Sequence, residues 1–252
     1  MRVLLVLLLG VAVATAASTR IIGGTTVDIR QYPFAAALIH SRTGSGTFYP
    51  SCVGSIISNR AMLTAAHCVD GNSANQWRAR VGSNRSSTGG RLYQFNRIIV
   101  HPSFNGITHD CDVAVLQPTT IIAIGGNVQL GPIAGENYNL FDYSPLWAVG
   151  WGVVSWGGQH SDLLRHVQIS SINQNVCRQR YAGMRNVTDN MLCSGVLDIG
   201  GRDTCTGDNG GPVIHNGVIV GIASWAYQCG HPRYPRVNTR VPRFTRWIVS
   251  YA

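Results

Sequence analysis

Lysine is absent from this 252-residue chain. All 20 of its basic residues are arginine, and its 11 acids are aspartates except for a single glutamate, Glu136. An ammonium titrates at about 10.4 and a guanidinium only above about 12, so a surface charged by arginine alone keeps its charge where lysine would lose it. That composition suits a strongly alkaline fluid. The formal charge is +9, or +7 with residues 1–20 and their two arginines set aside, and the arginines are dispersed without a basic run. The concentrated basic stripe of a nucleic-acid binder is thereby excluded. Internal repeats and low-complexity linkers are lacking too. So, beyond residue 17, is any apolar run of the roughly 20 residues that a membrane span requires.

What is present begins with MRVLLVLLLGVAVATAA, residues 1–17. A basic start at Arg2, an apolar run, and small residues at Ala14 and Ala16 make a secretory signal with an A-x-A cleavage site. The run, about 13 residues, is too short to serve as an anchor. The chain is expected to be secreted. Seven cysteines (Cys52, Cys68, Cys111, Cys177, Cys193, Cys205 and Cys229) then imply disulfides with one cysteine left over, and spacing alone leaves the pairing open.

Scattered glycines and prolines, 29 and 10 of them, imply many turns. Between them recur short β-type runs: FAAALIH (34–40), SIIS (55–58), RIIV (97–100), DVAVL (112–116), LWAVGWG (146–152) and GVIVGIASW (217–225). These predict an all-β chain built as barrels or sandwiches. Only the C-terminus predicts a helix, where Pro242 suits a first turn and Phe244, Trp247 and Ile248 share a face.

Four stretches taken together carry a resemblance: RIIGG (20–24), TAAHC (64–68), DVAVL (112–116) and GDNGGP (207–212). In this order and spacing the whole mature chain, residues 21–252, resembles the trypsin-like serine proteases of the chymotrypsin fold. VTDNMLCSG (187–195), GGRDTC (200–205), LRHVQ (164–168) and the use of arginine for lysine are most similar to the alkaline midgut trypsins of moths and butterflies. The resemblance implies two six-stranded antiparallel β-barrels with a short C-terminal helix and a cleft between the barrels. It implies the disulfides Cys52–Cys68, Cys177–Cys193 and Cys205–Cys229, each worth on the order of 3 kcal/mol in the chain-entropy model. Cys111 has no counterpart to pair with and is either buried and inert, the favoured expectation, or available for an intermolecular bond. His67 resembles the family's general base, Asp112 the acid that orients it, and Ser224 a serine that hydrogen-bonds that acid. Imidazole would take the nucleophile's proton, and the buried carboxylate would fix its tautomer.

The chain departs from that pattern at the nucleophile. Asn209 stands where the family has serine, and a carboxamide has no ionisable O–H for His67 to activate. The backbone amides of Gly207 and Asn209 are expected to keep the oxyanion hole, a remnant worth only about 10³–10⁴-fold over water in a characterised serine protease. Asp203 resembles the acid on the floor of the specificity pocket that selects Arg and Lys. Two pocket walls that are ordinarily glycine are Ala226 and Arg236. An arginine beside a buried aspartate should pair with it, because an isolated buried carboxylate is costly; Arg236 is therefore expected to fill the pocket from within. Val53, in CVGS, replaces another common glycine.

The activation elements match the family. Residues 18–20 form a short activation peptide, cleavage after Arg20 by a trypsin-like protease would free Ile21, and the new ammonium would pair with Asp208. The loop VGSNRSSTGGRL (81–92) has none of the acids a calcium site needs, so no metal or cofactor is expected. Asn84 and Asn186 head N-glycosylation sequons. The favoured reading is a secreted, monomeric, catalytically inactive trypsin homologue that binds a protein or peptide in its cleft, in an alkaline gut lumen. The alternatives are a digestive endopeptidase cutting after Arg or Lys, and a decoy for protease inhibitors. Inhibitors that insert a basic side chain would find the pocket filled.

Overall fold

A computed structural model describes residues 23–153 and 158–252. Strand β1 (Thr25–Thr26) leads into two barrels that follow one another along the chain. The first comprises β2 (Ala35–His40), β3 (Tyr49–Ser58), β4 (Ala61–Thr64), β5 (Trp77–Val81), β6 (Arg91–Val100) and β7 (Ala114–Pro118), closed in the order β2-β3-β4-β7-β6-β5. The second comprises β8 (Pro145–Gly150), β9 (Arg165–Ser171), β10 (Met191–Gly195), β11 (Pro212–His215), β12 (Val218–Trp225) and β13 (Arg236–Arg240). These run β9-β10-β13-β12-β11-β8, and β8 pairs back onto β9 to close the ring, with β1 added outside on β9. The expectation of two six-stranded antiparallel barrels holds.

Burial explains why the strands read as they did. In β5, Trp77, Ala79 and Val81 are buried while Arg78 and Arg80 between them are half-exposed, the period-2 signature of a sheet with one face on the core. FAAALIH reads as a continuous apolar run because Ala35 to Ile39 are buried on both faces. A second, smaller core around Tyr181, Val187, Met191 and Val237 supports the outer side of the second barrel.

The helices depart from expectation. A one-turn helix α1 (Ala66–Val69) and an eight-residue helix α2 (Gln174–Tyr181) lie where none was predicted. In α2 the side chain of Asn173 caps the amides of Asn175 and Val176, and Cys177 and Tyr181, four apart, turn inward. At the C-terminus the predicted continuous helix is interrupted. A 3₁₀ turn over Val241–Arg243 carries the proline, Phe244 breaks the helical path, and α3 (Thr245–Val249) follows. Phe244 and Ile248 are nevertheless buried together, with Trp247 packed against the same core.

The three implied disulfides are formed, with Cα–Cα separations of 6.4 Å for Cys52–Cys68, 6.3 Å for Cys177–Cys193 and 5.2 Å for Cys205–Cys229. Cys111 is free and buried, and burial pushes its thiol up to about 11. No helix among the described residues is long and apolar enough to cross a membrane. The signal segment, Arg20 and Ile21 lie outside the described residues.

Candidate functional site

A cleft of about 320 Å³ is lined by His67 and His109 from the first barrel and by Thr206, Asn209, Ser224 and Arg236 from the second. Sheet register brings the first pair of expected residues together. Thr64, the last residue of β4, pairs with Ala114, the first of β7. The turn that leaves β4 therefore lies beside the segment that enters β7. His67 sits on that turn, in α1, and Asp112 in that segment.

His67 Nδ1 lies 2.6 Å from Asp112 Oδ2, and the His67 backbone N–H donates to Oδ1 at 2.8 Å. Ser224 Oγ, on β12, donates to Oδ2 at 2.5 Å, so the acid is held from both barrels. Asp112 is only 1% exposed. Burial pushes its carboxyl up, but the hydrogen bond and charge of His67, then Ser224 and the His67 amide, outweigh it and hold the group below its ordinary value. The residues around Asp112 are strained to make this turn: His109 and Cys111 both adopt positive φ, 54° and 53°.

The far side of the imidazole is different. His67 Nε2 is buried and has no hydrogen-bond partner. Asn209 occupies the turn between Gly207 and Pro212, half-buried, and its carbonyl accepts from Val53 N at 2.8 Å. That bond and its complete burial give Val53 a place: it ties β3 of the first barrel to this turn of the second. Gly207 (φ 90°) and Gly210 (φ 80°) make the turn possible, and a Cβ on Gly210 would collide with Thr64 Oγ1 and the Val53 carbonyl. The amides of Gly207 and Asn209 carry no hydrogen bond among the described residues. They remain available to a bound oxygen.

Asp208 is fully buried, with Oδ1 accepting from Gly152 N at 2.7 Å and Oδ2 from Cys205 N at 2.9 Å. Burial pushes its carboxyl up to about 6 against the pull of those two amides. Gly150 and Gly152 make room for it, since a Cβ on either would strike the carboxylate.

Asp203 and Arg236 lie beneath the cleft and are each 3% exposed or less. Arg236 Nε donates to Asp203 Oδ1 at 2.8 Å and its Nη2 to the Thr204 carbonyl at 2.7 Å, while Gly230 N donates to Oδ2 at 2.9 Å. Burial is the largest influence on Asp203 and raises it, and the Arg236 charge is the first to oppose it. On its other side, toward Gly195, Gly200 and Tyr234, Asp203 borders only a small pocket of about 10 Å³. Ala226 is half-buried on the cleft wall above.

The trypsin family profile matches residues 21–248. The chain belongs to the trypsin family. It is 51% identical to "Trypsin, alkaline A" of Manduca sexta over 239 residues, 94% of this chain and 93% of the relative. It is 48% identical to "Trypsin CFT-1" of Choristoneura fumiferana, covering 92% and 91% of the two chains. Against "Achelase-1" of Lonomia achelous it is 43% identical, covering 92% of this chain and all of the relative.

Two cleft residues of this trypsin-family chain, His109 and Arg185, were not singled out from the sequence. His109 stacks on His67 with ring centroids 4.9 Å apart and planes 3° from parallel, and burial lowers its pKa. Arg185 extends its guanidinium over Trp225, 4.1 Å from the ring centroid. HDCD (109–112), a histidine three residues before the candidate acid, was a usable hint, because His109 and Asp112 share one loop.

Proposed function

We propose that this chain is a secreted, catalytically inactive member of the trypsin family that binds a protein or peptide in its cleft without cleaving it. The observation that carries this reading is the unpartnered His67 Nε2 beside Asn209. The base and its orienting acid are assembled, but the residue at the nucleophile's position has no O–H to give. Neither hydroxyl of the cleft substitutes for it: Ser224 is committed to Asp112, and Thr206, exposed on the lining, makes no hydrogen bond to His67 Nε2. On this reading Gly207 and Asn209 supply the oxyanion-hole amides, and Asp203, Ala226 and Arg236 form a specificity pocket that is already occupied. Residues 1–17 are a signal and 18–20 an activation peptide. Cleavage after Arg20 frees Ile21 to pair with Asp208, whose raised pKa marks a buried carboxyl in want of a cation. The lysine-free surface and the likeness to an alkaline trypsin of Manduca sexta support an alkaline lumen as its setting.

The second reading is a digestive endopeptidase cutting after Arg or Lys, favoured by identities near half to proteins named trypsin. Turnover separates the two. The chain cleaved after Arg20 should hydrolyse Arg-ester and Arg-amide substrates no faster than its His67→Ala variant, and should resist serine-directed phosphonylating reagents. Stoichiometric labelling at the 207–212 turn would overturn the proposal.

A further inference from the structure

The charges that line the cleft do not match those of a site for basic side chains. Its two acids are out of reach: Asp112 is bonded by His67 and Ser224, and Asp203 by Arg236 and Gly230. Both are no more than 2% exposed. Asp110, in the adjoining loop, is taken up by Thr188 Oγ1 at 2.7 Å and Asn190 Nδ2 at 3.1 Å. What remains is a cation. Arg185 lines the cleft, half-buried, and has no carboxylate partner among the described residues. It is held in place by the Ile107 carbonyl, which accepts from Nη2 at 2.9 Å, and by the face of Trp225 beneath it. Burial lowers its pKa, while the charge of Asp112 acts to raise it. Desolvation without a paired anion leaves a guanidinium that gains from any carboxylate brought to it.

Exposed apolar side chains lie on the segments that hold and flank this cation. Ile107, whose carbonyl holds the guanidinium, is 88% exposed; Met184, next to Arg185 in the chain, is 50% exposed; Tyr227, two residues beyond Trp225, is 49% exposed. Exposed apolar side chains carried by the same segments as the cation offer a peptide apolar surface beside it. The structure assigns this cleft to an acidic peptide: a segment with an Asp or Glu carboxylate seated on Arg185 and apolar side chains flanking it over Ile107, Met184 and Tyr227. This deepens the binding reading above and rests on it. The preference is opposite in sign to that of a pocket with a free Asp203, and it follows from two separate features, the internal pairing of Arg236 and the unpaired Arg185.

Fluorescein-labelled hexapeptides of glycine, leucine and phenylalanine with one central Glu, Gln or Arg, read by fluorescence anisotropy on the chain cleaved after Arg20, provide the test. The Glu peptide should bind about tenfold more tightly than the Gln peptide, as one charge-assisted contact allows. The Arg peptide should be the weakest of the three. Added salt should erase the difference. Arg185→Gln should remove the Glu preference and Arg185→Lys should retain part of it, each with the thermal melt of the wild type as a folding control. Equal binding of Glu and Gln peptides, a preference for the Arg peptide, or no binding by any of them would overturn the assignment. Peptide hydrolysis, followed by chromatography in the same samples, would instead overturn the inactive reading, so the two failures are distinguishable.

Discussion

Asp112 and Asp203 are two buried carboxylates with opposite consequences. Each is almost fully shielded from solvent, and each has both oxygens bonded. Asp112 is bonded by an imidazole whose other nitrogen faces the cleft, so the order of the buried acid is passed outward to a group that can move a proton. Asp203 is bonded by a guanidinium that ends inside the protein, at Thr204, and nothing is passed outward. The half contributed by the first barrel has kept its capacity for acid–base chemistry. The half contributed by the second carries Asn209, which has no ionisable O–H, and an Asp203 bonded internally by Arg236. A satisfied buried charge can therefore create a function or abolish one, depending on which way its partner points.

The sharpest way to break this comparison is to remove one partner of the closed pair. Asp203→Ala should strand the Arg236 guanidinium in a dry site at a cost of about 3–5 kcal/mol, lowering the melting temperature by roughly 10 °C for a domain of this size. The double variant Asp203→Leu/Arg236→Met should recover most of that loss, because the pair is replaced rather than broken. Calorimetric melts of both check it. A single variant as stable as the double would mean the pair is not coupled.

Next in size is Asp208. Its carboxyl lies at about 6 when folded against 3.8 when unfolded, so the folded state binds the proton more tightly. Its contribution is fully present below pH 3.8 and is lost as pH rises through 6. For the uncleaved chain this group should cost about 3 kcal/mol between pH 4 and neutrality. Urea melts across that window on wild type and Asp208→Asn should differ in slope, with the variant flatter. In the chain cleaved after Arg20, pairing with the Ile21 ammonium should shrink the difference.

The strands were legible in the sequence because they alternate, as β5 does, or are buried on both faces, as β2 is, but their closure into two barrels was legible only through the family resemblance. The motif residues were legible because TAAHC, DVAVL and GDNGGP tie chemistry to local turns. Helix α2 was not: QNVCRQRY shows no apolar periodicity beyond Cys177 and Tyr181, and its order comes from the Asn173 cap and the Cys177–Cys193 bridge. The break at Phe244 was hidden for a similar reason, since its buried ring serves either geometry. His109 and Arg185 escaped because their positions depend on how two loops meet, one of them with positive φ at a histidine. Val53 could be seen as unusual but acquired a role only with its bond to Asn209.

Smaller effects sharpen the retained half. Ser224→Ala removes one hydrogen bond to the charged Asp112 and should cost about 2 kcal/mol, measurable as a shifted urea midpoint at unchanged slope. The Asn209 side chain makes no hydrogen bond among the described residues, so Asn209→Ser should alter stability by no more than about 0.5 kcal/mol. A larger change would show that the carboxamide has a structural task in the 207–212 turn.

Benzamidine, a small cation shaped for a pocket with a free carboxylate at its floor, tests the closed half most directly. Titrated calorimetrically, it should give no detectable binding to the wild type or to Asn209→Ser, because the space beside Asp203 is taken by the Arg236 guanidinium, bonded to it at 2.8 Å. It should bind once Arg236→Gly opens that space and leaves Asp203 unpaired. Tight binding of benzamidine by the wild type would contradict the account, for it would mean that Arg236 yields the site and that only the nucleophile has been lost.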